Sequence, residues 1–196
     1  MKKLAVLLCL LVVLVSCVWG GPFGIEMGWA LEDFEKNGIK TEFLFDEYNV
    51  STYLFFPVNS HPDFKEYVVF IDDTDGVYMI MVMNSEVSTS KYGTEIKSLY
   101  KKIKDQISSN YGTPDETDFL HYGSIWDEPG DWMMAIRLGE RSLFSIWDCK
   151  GKDSIEKIKL FVSADTTNTA ALVLGYESIK SAEINKRKEA GASSVF

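Results

Sequence analysis

The chain has 196 residues, 46% hydrophobic and 25% charged, the balance of a globular protein with room for one domain of ordinary size. Lys and Arg number 20 against 29 Asp and Glu, a formal net charge of −9, so its field opposes phosphate backbones and weighs against nucleic acid as a partner. Of the three cysteines, Cys9 and Cys17 fall within the first twenty residues, which leaves Cys149 no mate for a disulfide.

Lys2 and Lys3 precede an unbroken apolar run from Leu4 to Val15, the length of a signal-peptide core and too short to span a bilayer. The run ends in Leu14-Val15-Ser16-Cys17, which resembles the lipobox of bacterial lipoproteins. That resemblance implies that residues 1–16 are a signal peptide and that Cys17 carries diacylglycerol plus an N-acyl chain such as palmitate. The mature protein would then be anchored to a membrane of the cell envelope, at the outer membrane or cell surface. Three acyl chains exceed the two needed for stable anchoring. The alternative is a cut before Gly21, with Val18 and Gly20 at its −3 and −1 positions, giving a soluble secreted protein without Cys17. On the first reading residues 17–24, ending in Gly20-Gly21-Pro22-Phe23-Gly24, are the lipidated cysteine and its tether.

A short helix is expected after Trp29, with Leu31 and Phe34 on one face and Asn37-Gly38 as its stop. Strands are expected at Thr41–Asp46 and Thr52–Val58, then at Tyr67–Ile71 and Val77–Met83, the second pair closed by a turn with Gly76 at positive φ. Residues 94–110 form the clearest helix: Ile96, Leu99, Tyr100, Ile103 and Ile107 make one apolar stripe, and Tyr111-Gly112-Thr113-Pro114 stops it. Strands return at Trp132–Leu138 and Ser142–Asp148, read as a hairpin around Gly139-Glu140, with Trp132, Met134, Ile136 and Leu138 on its core face. Ile155–Ser163 and Ala170–Tyr176 follow as strands, then a terminal helix over Glu177–Glu189 and a frayed tail over residues 190–196.

Short turns between strands favour antiparallel pairing, so the expected fold class is α+β: antiparallel sheet with helices packed on one face. The order suggests one domain over residues 25–189 built from two helix-plus-meander halves, about 25–90 and 91–189. The stretch Ile103–Trp126, an amphipathic helix stopped by Tyr-Gly-Thr-Pro, is similar to small exported α+β modules. These include the small lipoprotein of outer-membrane β-barrel assembly and the β-lactamase-inhibitor proteins. The resemblance implies a module without catalytic residues that works through protein contacts.

Nothing in the sequence makes a catalytic constellation. His61 and His121 stand apart, with no His-x-His, His-Glu-x-x-His or Cys-x-x-Cys spacing for zinc, and no Gly-x-Ser-x-Gly elbow, phosphate loop or dinucleotide fingerprint is present. No cofactor is therefore expected. Asp72-Asp73-Thr74-Asp75-Gly76 invites a calcium reading, with Asp72, Asp73 and Asp75 as weak ligand candidates. Placing Gly76 at loop position 6 puts Ile71 and Val82 where an EF-hand needs acids, and an acidic hairpin tip is the plainer reading. Among the aromatics, Trp126 and Tyr122 beside an acidic turn are candidates to contact a ligand or a sugar. The expected function is a non-catalytic, lipid-anchored envelope protein that binds another protein or envelope component. The alternatives are a secreted hydrolase using His61 and His121, or a small-ligand or sugar-binding domain.

Overall fold

The computed structural model describes residues 21–193; Cys17, the predicted signal peptide and residues 194–196 lie outside them. Nine strands form one antiparallel sheet. Chain order begins with helix α1 (Leu31–Lys36), then β1 (Lys40–Glu47), β2 (Val50–Phe56), β3 (Glu66–Asp72), β4 (Gly76–Met83) and the short β5 (Val87–Ser88). Helix α2 (Thr94–Tyr111), β6 (Asp115–Leu120), helix α3 (Trp132–Arg137), β7 (Arg141–Asp148), β8 (Ile155–Ser163), β9 (Thr169–Ser178) and helix α4 (Ser181–Ser193) complete it. The sheet order is β1-β2-β3-β4-β9-β8-β7-β6, with β5 beside β9. Each half is thus a helix followed by a meander, and the last strands of the two meanders, β4 and β9, pair at the centre.

Local sequence explains most of these elements. Tyr48 and Asn49, both at positive φ, make the two-residue turn between β1 and β2, a geometry that matches strand twist. In β8, Ile158, Leu160 and Val162 are buried, whereas Lys157 and Lys159 project to the opposite side. Helix α2 buries Ile96, Tyr100, Ile103 and Ile107 against that same inner face, each worth about 1.5–3 kcal/mol before entropy is counted. Gly112, at φ 84°, ends the helix, and its carbonyl accepts the indole N–H of buried Trp147 at 3.0 Å.

Helices α1, α2 and α3 cover one face, their apolar residues joining one large core cluster. Helix α4 lies across a corner of the other face. A bulge at Tyr78, which has no partner opposite it between Phe70↔Met79 and Ile71↔Val77, turns Tyr78 and Met79 to that side. There Tyr78 and Val50 pack on Ile184 of α4, and the Ser181 hydroxyl donates to the Tyr78 carbonyl at 2.9 Å.

Two expectations are corrected. Trp132–Leu138 is a helix and not a strand: Trp132, Met133, Ala135 and Ile136 are buried, an i, i+1, i+3, i+4 spacing, while Leu138 is 49% exposed. Pro129 opens a 3-10 turn ahead of it. Gly139, at φ 71°, ends this helix and closes no hairpin, with Gly139 N–H donating to the Ile136 carbonyl and Glu140 N–H to that of Ala135. The strand beside β7 is instead Asp115–Leu120, an edge strand too polar to show an alternating pattern. The terminal helix begins at Ser181, later than expected, because β9 runs on to Ser178, and it extends to Ser193.

Candidate functional site

Among the described residues, the helix on the face of the sheet turned away from α1, α2 and α3 is α4, which packs at the corner formed by Val50, Phe70, Tyr78 and Met79. Strand register fixes what the rest presents. One row runs the full width of the sheet: Glu42, Leu54, Val68, Met81, Gly175, Lys159, Ile146 and Asp115 are successive cross-strand partners. The adjacent row is Glu66, Met83, Val173, Phe161, Phe144 and Thr117. Beyond these rows stand Phe119 at one edge and Phe56 and Phe45 at the other, each at least half exposed. Apart from Lys159 the interior of these two rows is apolar, and acids stand at both ends of the full-width row; on its other side the row Phe70, Met79, Glu177, Lys157 and Asp148 brings carboxylates and an ammonium onto the same face beside the apolar area.

Three details shape it. Lys159 is held between two rings, its ammonium 5.5 Å from the Phe144 centroid and 5.4 Å from that of Phe161, so a cation sits within the aromatic patch. Met81 and Met83 bring flexible thioethers able to repack against a partner. Gly175 leaves a dip between Met81 and Lys159: a Cβ built there would meet nothing nearer than the Lys159 carbonyl at 4.0 Å.

The residues singled out from sequence fall elsewhere. Tyr122 is fully exposed and Ile125 is 76% exposed on the loop after β6, while Trp126 is half-buried, its N–H donating to the Ser124 hydroxyl at 3.1 Å. His121 packs on Phe119 at this edge, 5.4 Å between ring centroids. His61 lies between β2 and β3, beside a cleft of about 220 Å³ shared with Gln106, Asn110 and Tyr176, and its Nδ1 accepts the Asp63 N–H at 3.2 Å. Strands β3 and β6 are five positions apart in the sheet, at about 4.8 Å per step, so the two histidines share no pocket. The Cys149 thiol is buried and pushed up to about 11, chiefly by desolvation with Asp148 adding to it, and stays protonated at neutral pH.

The acidic turn is turned toward α4. Asp72, 5% exposed, accepts the N–H groups of Thr74 and Asp75 at 3.0 Å each and pairs with Arg187 at 3.2 Å. Asp75 pairs with the same guanidinium at 2.7 Å and has Lys180 at 3.8 Å; Asp73 is exposed. Among the described residues no group of three or more His, Cys, Asp or Glu side chains is placed to hold a metal ion. No helix among them is long and apolar enough to cross a membrane.

The open face was missed because its signal is diluted in sequence. Its residues come from eight strands, a few from each, and in β1 and β4 a bulge breaks the alternation. The alternation of Leu54 with Phe56 and of Met79 with Met81 and Met83 was the readable trace. Compared with known families, curated proteins and solved structures, the chain matches none.

Proposed function

We propose that this protein is a non-catalytic, lipid-anchored envelope protein that engages a protein partner through the open face of its sheet. The observation that carries the reading is the largely apolar interior of that face, with Met81 and Lys159 on either side of the dip at Gly175, Phe161 and Phe144 in the adjacent row, and acids at both ends of the full-width row. A surface of this composition gains free energy when a partner covers it, and Lys159 between two rings adds a site for a partner carboxylate. The leader supplies the anchor: Leu14-Val15-Ser16-Cys17 resembles a lipobox with Cys17 as the acylated residue, and the tether from it ends by about Pro22, because Phe23 already packs edge-on to Tyr67 and Tyr176.

Two measurements test the reading. Intact mass of protein made with its own leader in a bacterial host is expected to show a mature chain beginning at acylated Cys17; one beginning near Gly21 without lipid makes it a secreted protein. Isolation from detergent-solubilised native envelope is expected to recover a partner with wild type and Gly175→Ala but not with Gly175→Glu. Equal recovery with all three removes the open face from the reading. A sugar-binding alternative rests on the full exposure of Tyr122; it predicts that a glycan panel changes tryptophan fluorescence and that Tyr122→Ala abolishes the change.

A further inference from the structure

We infer that strand β1 pairs with the β1 of a second copy, joining two sheets edge to edge about a two-fold axis. Among the described residues β1 pairs with β2 alone, so one side of this eight-residue strand is an open edge. Its centre is Phe43-Leu44-Phe45, exposed 54%, 41% and 50%, an apolar run that an uncovered edge strand ordinarily avoids.

The occupant follows from charge and register. An antiparallel partner places opposite residues on the same face, so both faces must match across the junction. The bulge at Leu44, which has no partner between Phe43↔Tyr53 and Phe45↔Thr52, shifts the alternation halfway along the strand. Lys40, Glu42, Phe45 and Glu47 therefore share the open face, and Thr41, Phe43 and Asp46 share the other. Face matching then requires residues before the bulge to oppose residues after it. Setting Lys40 opposite Glu47 does this over the whole strand: Thr41 meets Asp46, Glu42 meets Phe45, and Phe43 meets Leu44 beside the axis. Lys40 and Glu47 meet twice as opposite charges, and no like charges face each other. Sliding by two residues one way sets Glu42 against Glu47. Sliding by two the other way sets Glu42 against Phe43, on opposite faces. Glu47 is 4.0 Å from Lys188 in its own chain but remains 56% exposed, so it is open to a second cation. The strand is self-complementary, which favours a second copy over an unrelated extended segment. The two-fold lies perpendicular to the sheet and sets both open faces side by side, which would make binding at those faces bivalent.

Sedimentation of the full chain, made with its own leader and kept in density-matched detergent, tests this over the micromolar range. A dimer is expected. Lys40→Glu should weaken it roughly tenfold, because two exposed pairs turn from attraction to repulsion, and Lys40→Glu with Glu47→Lys should restore it. Because shared micelles can mimic association, a second readout is needed: Thr41→Cys chains mixed with Asp46→Cys chains and mildly oxidised should yield a disulfide between positions 41 and 46, identified by peptide mass. A monomer throughout the range overturns the inference. So does a dimer that is indifferent to Lys40→Glu and gives no 41–46 link.

Discussion

Gly76 holds the point where the first meander is tied to the segment ahead of α1. It begins β4 at φ 71°, and its neighbour Val77 exchanges hydrogen bonds with that segment: Gly28 N–H donates to the Val77 carbonyl and Val77 N–H to the Trp29 carbonyl, each at 2.8 Å. A Cβ at Gly76 would run into the Gly28 and Trp29 carbonyls, which are backbone and cannot rotate away. Gly151 provides the comparison, because it is left-handed at φ 78° and ψ 9° but a Cβ there would meet only the Ile179 side chain, at an ordinary 3.7 Å. Gly151→Ala should therefore cost only the left-handed strain, about 1–2 kcal/mol. Gly76→Ala adds overpacking of about 1–3 kcal/mol to that strain, for roughly 3 kcal/mol or more in total. At about 2–4 °C per kcal/mol for a chain of this size, Gly76→Ala should lower Tm by some 6–12 °C and Gly151→Ala by about half or less. Calorimetry with urea titration of both variants checks the difference. Equal losses, or a loss below about 1 kcal/mol at Gly76, would refute the backbone contact as the cause.

Other outcomes follow from the same physics. Tyr100→Phe removes the partner of the Ser145 hydroxyl, which is wholly buried, and should cost about 1–3 kcal/mol in urea denaturation; with Ser145→Ala added, the loss should be less than the sum of the two single variants. Burial pushes the Tyr78 and Tyr100 phenols up to about 12 each, the Ser145 hydrogen bond opposing it only in part at Tyr100. Unfolded tyrosine ionises near pH 10 and these two do not, so their contribution is complete below about pH 10 and is lost as pH climbs toward 12. Stability measured against alkaline pH should fall through that window, and Tyr78→Phe should flatten the fall. Arg187→Ala removes the cation shared by Asp72 and Asp75, so hydrogen exchange should quicken over residues 181–193 while β8 and β9 keep their protection. Uniform quickening across the sheet would show that α4 does not open as a separate unit.

What could be read from the chain alone divides along physical lines. Helix α2 and strand β8 were legible because their burial is one-sided, and one-sided burial writes a period into the sequence. Trp132–Arg137 misled because six residues, four of them buried, hold less than two turns and leave a period of 2 and a period of 3.6 hard to tell apart. Asp115–Leu120 was silent because this edge strand lies beside the charged flank of α2 rather than under its apolar stripe; its carboxylates find Lys104 at Glu116 and Arg141 at Asp118. The bulges at Leu44 and Tyr78 also left no sequence signal, although each decides which side chains share a face. The open face depends on pairing between residues as distant in sequence as Met81 and Gly175, and such pairing is tertiary information.

Photo-crosslinking in the living cell reaches the open face most directly. A benzophenone amino acid replaces Phe161, on the open face, or Lys101, on the solvent side of α2, in the chain expressed with its own leader in its native envelope. The expected result is an adduct of one defined mass from position 161, none from position 101, and loss of the adduct when Gly175→Glu fills the dip. No adduct at position 161, or an adduct that Gly175→Glu leaves unchanged, would contradict binding through this face.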